Sequence, residues 1–469
     1  MTRSAAPKSG LGARRMRLNG FKQSTVSQSA VGLWRNPDSQ AHRYRELEYW
    51  IETARTLERG KFDALFIADA LGPLDVYQGR IDATLKQGVQ TPSDDPLLVV
   101  SAMAAATRRL GFAVTLSTAF EQPYLLARKM TTLDHLTRGR IGWNIVNSAL
   151  DSAARNCGLG QQLPHDERYD VADEFMEVVY KLWEGSWEDD AIVFDRAAGV
   201  FAAPSKVHAI GHSGRYFDVP DVFLCEPSVQ RTPALFQAGT SSRGRLFAAT
   251  HAEGVFISAR SPAAARQLVY DIRTLAAQAG RDPASLRFYG HVTVIAAATD
   301  ADATAKHADY LRWLSEEGNL ARHCALIQLD LSKLDPDEPL EYVQTEGIRS
   351  VLASFTRADP ERRWTVREMS RYLATSMGGV TIVGAPAKVA DELERWMREA
   401  DLDGFNVTDP MPLASYDEFI EYVRPELLRR GLVWEDYEGE TLREYIAGRG
   451  EVRAPAHHPA ARWRPGGPV

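Results

Sequence analysis

Cysteine is scarce in this sequence. The chain of 469 residues contains only Cys157, Cys225 and Cys324. An odd number of cysteines at wide spacing argues against a disulfide framework and against a cysteine-based metal site. We therefore expect a protein of the reducing cytoplasm, with no structural disulfide and no metal.

Long apolar runs and an excess of positive charge are also missing. No apolar run reaches the ~18 residues that would indicate a membrane span, so membrane insertion is not expected. The formal net charge is −7 and the isoelectric point is near 5.9. With basic residues interleaved among acidic ones, this balance argues against binding to nucleic acid. The composition instead predicts an ordinary globular protein of enzyme size.

The two ends of the chain lack the patterns of folded elements. Residues 1–15 are basic but have no apolar segment of a signal peptide, which predicts a disordered lead. Residues 449–469 are rich in Pro, Gly and Arg, which predicts a flexible tail. The remaining range, 16–448, is too long for one ordinary core and is predicted to be either two domains or one large barrel with insertions.

Apolar strand-like runs alternate with helical patterns along most of the chain. Eight such strands, each followed by a helix, predict an α/β fold, a (β/α)8 TIM barrel, over 16–448 as a single domain. Two stretches break the alternation and are predicted to be insertions, 183–231 and 300–378, the second mostly helical. The predicted strands are 17–21, 64–68, 110–116, 142–146, 233–238, 254–257, 286–296 and 404–407.

Polar chemistry is concentrated between Arg140 and Phe175. A short apolar strand ends at Val146, a polar loop follows, and His165 opens an amphipathic helix. Because ligands of β/α proteins bind at the carboxyl ends of the strands, this loop is predicted to form one wall of an active site. A second candidate is the run Gly239–Gly244, whose small and hydroxyl residues precede a helix and would suit a phosphate.

Other motifs are weaker. The Gly239–Gly244 run has neither the glycine spacing of a dinucleotide site nor the lysine of a Walker loop. His208 and His212 are four residues apart, but they lie in a strand-like stretch where that spacing does not place them on one face. A zinc site is therefore not expected.

Five separated segments carry a resemblance to a known family. They are TLERGKFDALFIAD, TTLDHLTRGRIGWNIVNS, HDERYDVADEF, KVHAIGHSGRYFDV and FQAGTSSRGRLFAA. In order and spacing the chain resembles the luciferase-like two-component flavin monooxygenases, the class that includes nitrilotriacetate and dibenzothiophene sulfone monooxygenases. The resemblance implies an insertion-bearing β/α barrel that uses reduced FMN (FMNH2) and O2. It also implies a flavin peroxide that oxygenates a small organic substrate, and a separate NAD(P)H:flavin reductase as partner.

The resemblance also implies roles for particular residues. Tyr169 and Ser241 would hold the FMN phosphate, and Ser242 would be a further cofactor-binding residue. Thr115 and Asn144 would lie beside the isoalloxazine as catalytic and cofactor-binding residues. The remaining expected flavin contacts are Asp69 and His165, and the expected substrate-side residues are Trp143, Asn147 and Ser148.

Each of these residues has a purely structural alternative. Ser241 could cap a helix, Tyr169 could pack, and Asp69 could belong to a turn. Thr115 and Asn144 could simply be strand residues, and His165 a cap or surface group. At the level of function, the alternatives are an F420-dependent oxidoreductase of the same barrel and a non-catalytic flavin-binding protein. The substrate stays open, with selectivity expected in the two insertions, and a homo-oligomer is expected.

Overall fold

The computed structural model describes residues 14–239, 241–343, 345–356, 362–376 and 379–465. Eight parallel strands form a closed ring in chain order, since the first strand pairs with the eighth and the sixth with the seventh. The predicted TIM barrel is therefore confirmed. The strands are β1 (Arg17–Gln23), β2 (Ala64–Ala68), β3 (Gly111–Ser117), β4 (Ile141–Val146), β5 (Ala234–Gln237), β6 (Gly254–Ile257), β7 (Arg287–Ala296) and β8 (Gly404–Thr408).

Helices surround this ring and fill the connections. The α-helices of the described residues are α1 (Leu47–Arg59), α2 (Asp82–Gln87), α3 (Leu97–Ala106), α4 (Pro123–Thr137), α5 (Asp151–Asn156), α6 (His165–Tyr180), α7 (Ser242–His251), α8 (Pro262–Gln278), α9 (Asp300–Trp313), α10 (Glu316–Ile327), α11 (Arg349–Thr356), α12 (Val366–Thr375), α13 (Pro386–Ala400), α14 (Ala414–Glu418), α15 (Arg424–Arg429) and α16 (Leu442–Ala447). A π-helical turn, Lys181–Gly185, extends α6.

Alternation along the strands separates the barrel interior from the helical layer. Phe66 of β2, Phe236 of β5 and Tyr289 of β7 belong to one buried cluster. Because these strands are not neighbours in the ring, their side chains meet inside the barrel. The intervening residues, such as Leu65 and Ile67, belong to the larger core beneath the helices.

Helix α16 closes the bottom of the barrel, where the strands begin. Its Leu442 and Ile446 belong to the interior cluster. A Cβ on Gly111 would lie 2.7 Å from the Leu442 side chain, so glycine allows this close approach. Arg17 Nε donates to the Tyr445 carbonyl at 2.8 Å, and Arg287 Nε to the Ile446 carbonyl at 2.9 Å. The helix is thereby fastened to both β1 and β7.

The segment predicted as the first insertion, 183–231, consists of short pieces on the flank of the barrel. It contains the antiparallel pairs Ile192–Asp195 with Val200–Ala202 and His212–Ser213 with Asp218–Val219. Phe194 and Phe201 on the first pair are 56% and 59% exposed. This hairpin therefore projects from the molecule.

The segment predicted as the second insertion, 300–378, is mostly helical and contains α9 to α12. It has a small core of its own, in which Phe355 and Trp364 pack with ring centroids 5.1 Å apart. A ninth parallel strand, Val380–Gly384, follows it and pairs with the second half of β7. This strand was not predicted from the sequence.

The tail prediction is wrong for residues 449–465. Pro459–Trp463 forms a 3-10 helix, Ala460 and Ala461 are buried, and His458 Nε2 lies 2.9 Å from the His251 carbonyl oxygen. Small side chains and one histidine let this Pro- and Arg-rich stretch pack closely. Of the predicted lead, residues 1–13 lie outside the described residues, while Arg14 pairs with Asp401 at 2.6 Å. Within the described part of the chain, no helix is long and apolar enough to cross a membrane.

Candidate active site

A cleft of about 250 Å³ opens at the barrel mouth, where β2, β4 and β5 end. Helices α6 and α7 form one side, and Leu326, Gly347 and Ile348 of the second insertion form another. Of the predicted site residues, Asp69, Asn147, Ser148, His165, Tyr169 and Ser241 line the cleft. No residue of 183–231 lines this cleft among the described residues, so the expectation that both insertions shape selectivity finds support only for the second.

Tyr169 and Ser241 meet at the start of α7. A Cβ on Gly244 would lie 2.7 Å from the Tyr169 hydroxyl, and one on Gly239 would lie 2.9 Å from it, so both glycines are needed for this approach. Burial raises the pKa of Tyr169, while hydrogen bonding to Ser241 and Asn147 acts to lower it. The two hydroxyls that were predicted to share one ligand group are therefore neighbours.

Ser241 also has the structural role that was considered as an alternative. It is the N-cap of α7, and its Oγ accepts a hydrogen bond from Gly244 N at 3.1 Å. An accepting hydroxyl can still donate its own proton, so capping and ligand binding are compatible. Ser242 is exposed and is not among the residues that line the cleft. Thr240 lies outside the described residues.

Thr115 and Asn144 lie side by side on β3 and β4. They are partners in the strand register, and Asn144 Nδ2 donates to Thr115 Oγ1 at 2.9 Å. Asn144 Oδ1 is buried and has no hydrogen-bond partner among the described residues. The pair does not line the cleft itself, but Val146, two residues further along β4, does. They therefore lie just below the floor of the cleft.

Asp69 follows β2 and lines the cleft. Its Oδ1 accepts from Ala70 N at 2.8 Å. Burial, with a smaller contribution from the charge of Asp95, raises the pKa of Asp69 to about 6. Near neutral pH this carboxyl therefore exchanges its proton more readily than a surface aspartate.

His165 and Arg168 join the cleft wall to the second insertion. His165 N donates to Glu346 Oε2 at 2.7 Å, and the His165 ring lies 5.3 Å from the Tyr169 ring. Arg168 donates to the Ser148 carbonyl and, at 2.7 Å, to the Glu346 carbonyl. Arg168 was not predicted as a site residue, although it lies within the HDERY motif.

Three residues in or after β4 were expected on the substrate side, and the structure brings two of them to the cleft. Asn147 and Ser148 line the cleft, and Ser148 Oγ donates to Ser117 Oγ at 2.9 Å. Trp143, expected on the substrate side, instead points away from the barrel and packs against Phe175 and Trp183. Since Asn144 points inward, the strand alternation forces its neighbour outward.

Two other features bear on the chemistry of the site. Gln237, at the end of β5, lines the cleft with a buried Oε1 that lacks a partner among the described residues. The structure shows no group of three potential metal ligands in the ranges it describes. His208 and His212 pair instead with Glu188 and Glu174.

Comparison with known proteins gives consistent matches over nearly the whole chain. Residues 31–403 match the family model for luciferase-like monooxygenases. Dimethyl-sulfide monooxygenase of Hyphomicrobium sulfonivorans is 49% identical, over 96% of this chain and 94% of that protein. Long-chain alkane monooxygenase of Geobacillus thermodenitrificans is 45% identical, over 96% and 98%.

A solved structure extends this likeness to three dimensions. The crystal structure of a riboflavin lyase, determined with modified FMN and riboflavin, matches with a TM-score of 0.91. The two chains are 36% identical, and the match covers 96% of this chain and 100% of the other. The chain thus belongs to the luciferase-like monooxygenase family.

Proposed function

We propose that the protein is a two-component monooxygenase that binds reduced FMN and uses O2 to oxygenate a small organic substrate. The observation that carries the proposal is the meeting of Tyr169, Ser241 and the start of α7 at one end of the cleft. A separate NAD(P)H:flavin reductase would supply the reduced flavin. A cytoplasmic location and a homo-oligomer remain predictions.

The phosphate end of FMN fits the start of α7. The helix has N–H groups in its first turn and a partial positive charge there, which favour a dianion. Tyr169 and Ser241 add two hydroxyl donors, and the missing Cβ atoms at Gly239 and Gly244 let the Tyr169 hydroxyl approach the start of the helix. Arg243 lies over the Tyr169 ring but is paired with Asp173 at 2.5 Å, so its charge is already partly neutralised.

The ring end of FMN would lie toward β3 and β4. Asn144 Oδ1 is a buried acceptor without a partner in the described part of the chain, and the N–H groups of a flavin ring are suitable donors. Thr115 holds the Asn144 amide in this orientation through its hydroxyl. Bound reduced FMN would supply the electrons that activate O2. The chain itself would orient the ring and, through Leu326 and Ile348, exclude water from it.

Family membership leaves the substrate open. The names of the relatives extend from dimethyl-sulfide, an uncharged molecule, to nitrilotriacetate, a tricarboxylate. The monooxygenase hypothesis is favoured over the F420-dependent alternative, because relatives at 49%, 45% and 33% identity are named monooxygenases. The kind of oxygenation reaction stays open as well.

The phosphate site is tested by two conservative changes and one control. Tyr169→Phe and Ser241→Ala each remove one hydroxyl donor, and each is expected to weaken the binding of reduced FMN roughly tenfold or more, since a hydrogen bond to a charged group contributes about 1.5–3 kcal/mol. The measurement is an anaerobic titration with reduced FMN and with reduced riboflavin. Because riboflavin has no phosphate, wild type and variants should bind it equally.

The control is Thr115→Ala, which should affect FMN and riboflavin to the same extent. Persistent differences between Tyr169→Phe and wild type with riboflavin would place the hydroxyl on the ring instead. Failure of the wild-type protein to bind reduced FMN at all would exclude the proposed function. Tight binding of oxidised FMN without oxygen transfer to any substrate would indicate a flavin-storage protein.

A further inference from the structure

Arg322, on helix α10 of the second insertion, has a guanidinium without a partner in the described part of the chain. The residue is largely buried, and its Nε is shielded from solvent with no hydrogen-bond partner in the described residues. No carboxylate of the described residues lies within ion-pair distance of it either. Burial lowers the pKa of Arg322 to about 10, yet the group stays charged at neutral pH.

Other buried arginines of this protein are compensated. Arg443 pairs with Glu253 at 2.7 Å, and Arg231 pairs with Asp189 at 2.5 Å. Arg140 donates to the carbonyl oxygens of Leu110 and Ala104. A buried charge that lacks such compensation destabilises the folded protein. Arg322 is therefore a position where a bound anion would stabilise the folded protein.

The position of Arg322 relates it to the cleft. Leu326, one turn further along α10, lines the cleft, and residues four apart lie on the same face of a helix. Burial and, after it, the charge of Arg322 lower the pKa of His291 to about 4. His291 lies on β7, which is across the ring from β3 and Thr115. Arg322 itself is not among the residues that line the cleft, but it lies one turn from Leu326 and close to His291, on the side of the barrel away from Thr115.

We propose that Arg322 binds a carboxylate or sulfonate group of the organic substrate. The inference rests on the proposed function and gives it a substrate class: a small organic anion with an apolar portion. The apolar portion would contact Leu326 and the other apolar residues of the cleft, namely Leu71, Leu150 and Ile348. A guanidinium suits both oxyanions because its N–H groups can donate two parallel hydrogen bonds.

The first experiment needs neither flavin nor O2. Thermal unfolding is measured for wild type, Arg322→Met and a control, Arg371→Met, whose exposed arginine on neighbouring α12 pairs with Glu316. The probes are butyrate, propanesulfonate and uncharged butan-1-ol at equal ionic strength. Both anions should raise the melting temperature of wild type and Arg371→Met by about 2 °C or more, and butan-1-ol should not.

The same experiment shows how the inference fails. Without any anion, Arg322→Met should melt no lower than wild type, because it removes an uncompensated charge. The anions should leave its melting temperature unchanged. Equal shifts in all three proteins, or none in wild type, would overturn the anion site. A preference for only one of the two probes would identify the substrate head group as carboxylate or sulfonate.

A second experiment separates the inference from the proposed function. Under flavin turnover, wild type should prefer acids over their methyl esters at least tenfold in kcat/KM, and Arg322→Gln should lose that preference. If Arg322→Gln instead weakens the binding of reduced FMN far more than the binding of oxidised FMN, the guanidinium compensates the charge of the flavin and the inference is wrong. If wild type oxygenates esters and acids equally, the proposed function stands and the inference fails. If no flavin binds while the anion shifts persist, only the proposed function fails.

Discussion

The two insertions interrupt the same barrel but relate to it differently. Segment 183–231 lies on the flank, exposes Phe194 and Phe201 and contributes no residue to the cleft within the described ranges. Segment 300–378 has its own core and places Leu326, Gly347 and Ile348 at the mouth. Length and composition therefore do not indicate which insertion serves a site. The decisive property is where in the barrel the insertion starts: the first follows helix α6, and the second follows the carboxyl end of β7.

Helix α6 contacts the two insertions at different points along its length. At its start, His165 N and Arg168 bind Glu346 of the second insertion. Further along the helix, Glu174 accepts hydrogen bonds from the backbone N–H groups of Arg215, Tyr216 and Phe217 in the first insertion. Helix α6 thus holds the second insertion at the cleft and the first insertion on the flank. We therefore predict that loosening the second insertion at the cleft lowers activity, and that loosening the first insertion on the flank lowers stability.

The largest expected effect comes from the core of the second insertion. Trp364→Ala removes a ring packed against Phe355 and Tyr372, and such truncations cost about 3–5 kcal/mol. We expect kcat/KM for the substrate to fall at least tenfold, because the cover of the cleft loosens, while the affinity for FMN changes little. The matched control is Trp187→Ala in the first insertion, whose Nε1 donates to the Phe223 carbonyl at 2.7 Å.

The control should lower the melting temperature without changing kcat/KM. Steady-state kinetics and thermal unfolding of both variants give the answer. Equal losses of activity would show that the first insertion also acts on the site, which would contradict the proposed difference between the two insertions.

A smaller effect is expected from Glu174→Gln. Burial acts to raise the pKa of Glu174, but the donated N–H groups outweigh it, and the pKa lies below its ordinary value. Such a carboxylate stabilises the fold above the ordinary glutamate pKa of about 4.3, and this contribution is lost as the pH falls through the lowered value. The variant should therefore be about 1–2 kcal/mol less stable than wild type at pH 7 and converge with it in acid.

Chemical denaturation from pH 7 to pH 3 measures this convergence. Activity at pH 7 should not change, since the contact lies on the flank. A constant difference between Glu174→Gln and wild type across that range would mean that packing, rather than charge, holds the first insertion.

The smallest effect is expected from the exposed hairpin. Replacing both Phe194 and Phe201 by Ser should change the free energy of unfolding by less than about 0.5 kcal/mol per site, because both rings are mainly in solvent. Turnover should match wild type. A fall in kcat/KM at low protein concentration, absent at high concentration, would indicate that the hairpin contributes to an assembly needed for activity.

Much of the barrel could be predicted from sequence, because fully buried parallel strands leave short apolar runs between helical patterns. All eight barrel strands were found at or within a few residues of their observed bounds. Val380–Gly384 was missed although VTIVG is rich in β-branched residues, because it follows an insertion and adds to a ring that was already complete. Trp143 was misplaced because motif position was followed instead of the alternation along β4.

The site was predictable where a motif carried it and not elsewhere. Tyr169, Ser241 and Asp69 were named from short segments, and the structure places all three at one cleft. Arg322 and Glu346 lie in a stretch without a motif, and what distinguishes them arises only from tertiary packing. An arginine without a partner looks the same in a sequence as one with several.

The position of α16 has a consequence for how the protein is made. Its apolar residues complete the interior cluster at the bottom of the barrel, and its Arg443 buries an ion pair with Glu253. During synthesis, β1 therefore leaves the ribosome long before the residues of α16, which cover the bottom of the barrel. Until residue 447 has been synthesised, the cluster that contains Phe66, Phe236 and Tyr289 lacks its partners Leu442 and Ile446. We therefore expect the nascent chain to expose apolar surface at the bottom of the barrel until synthesis is nearly complete.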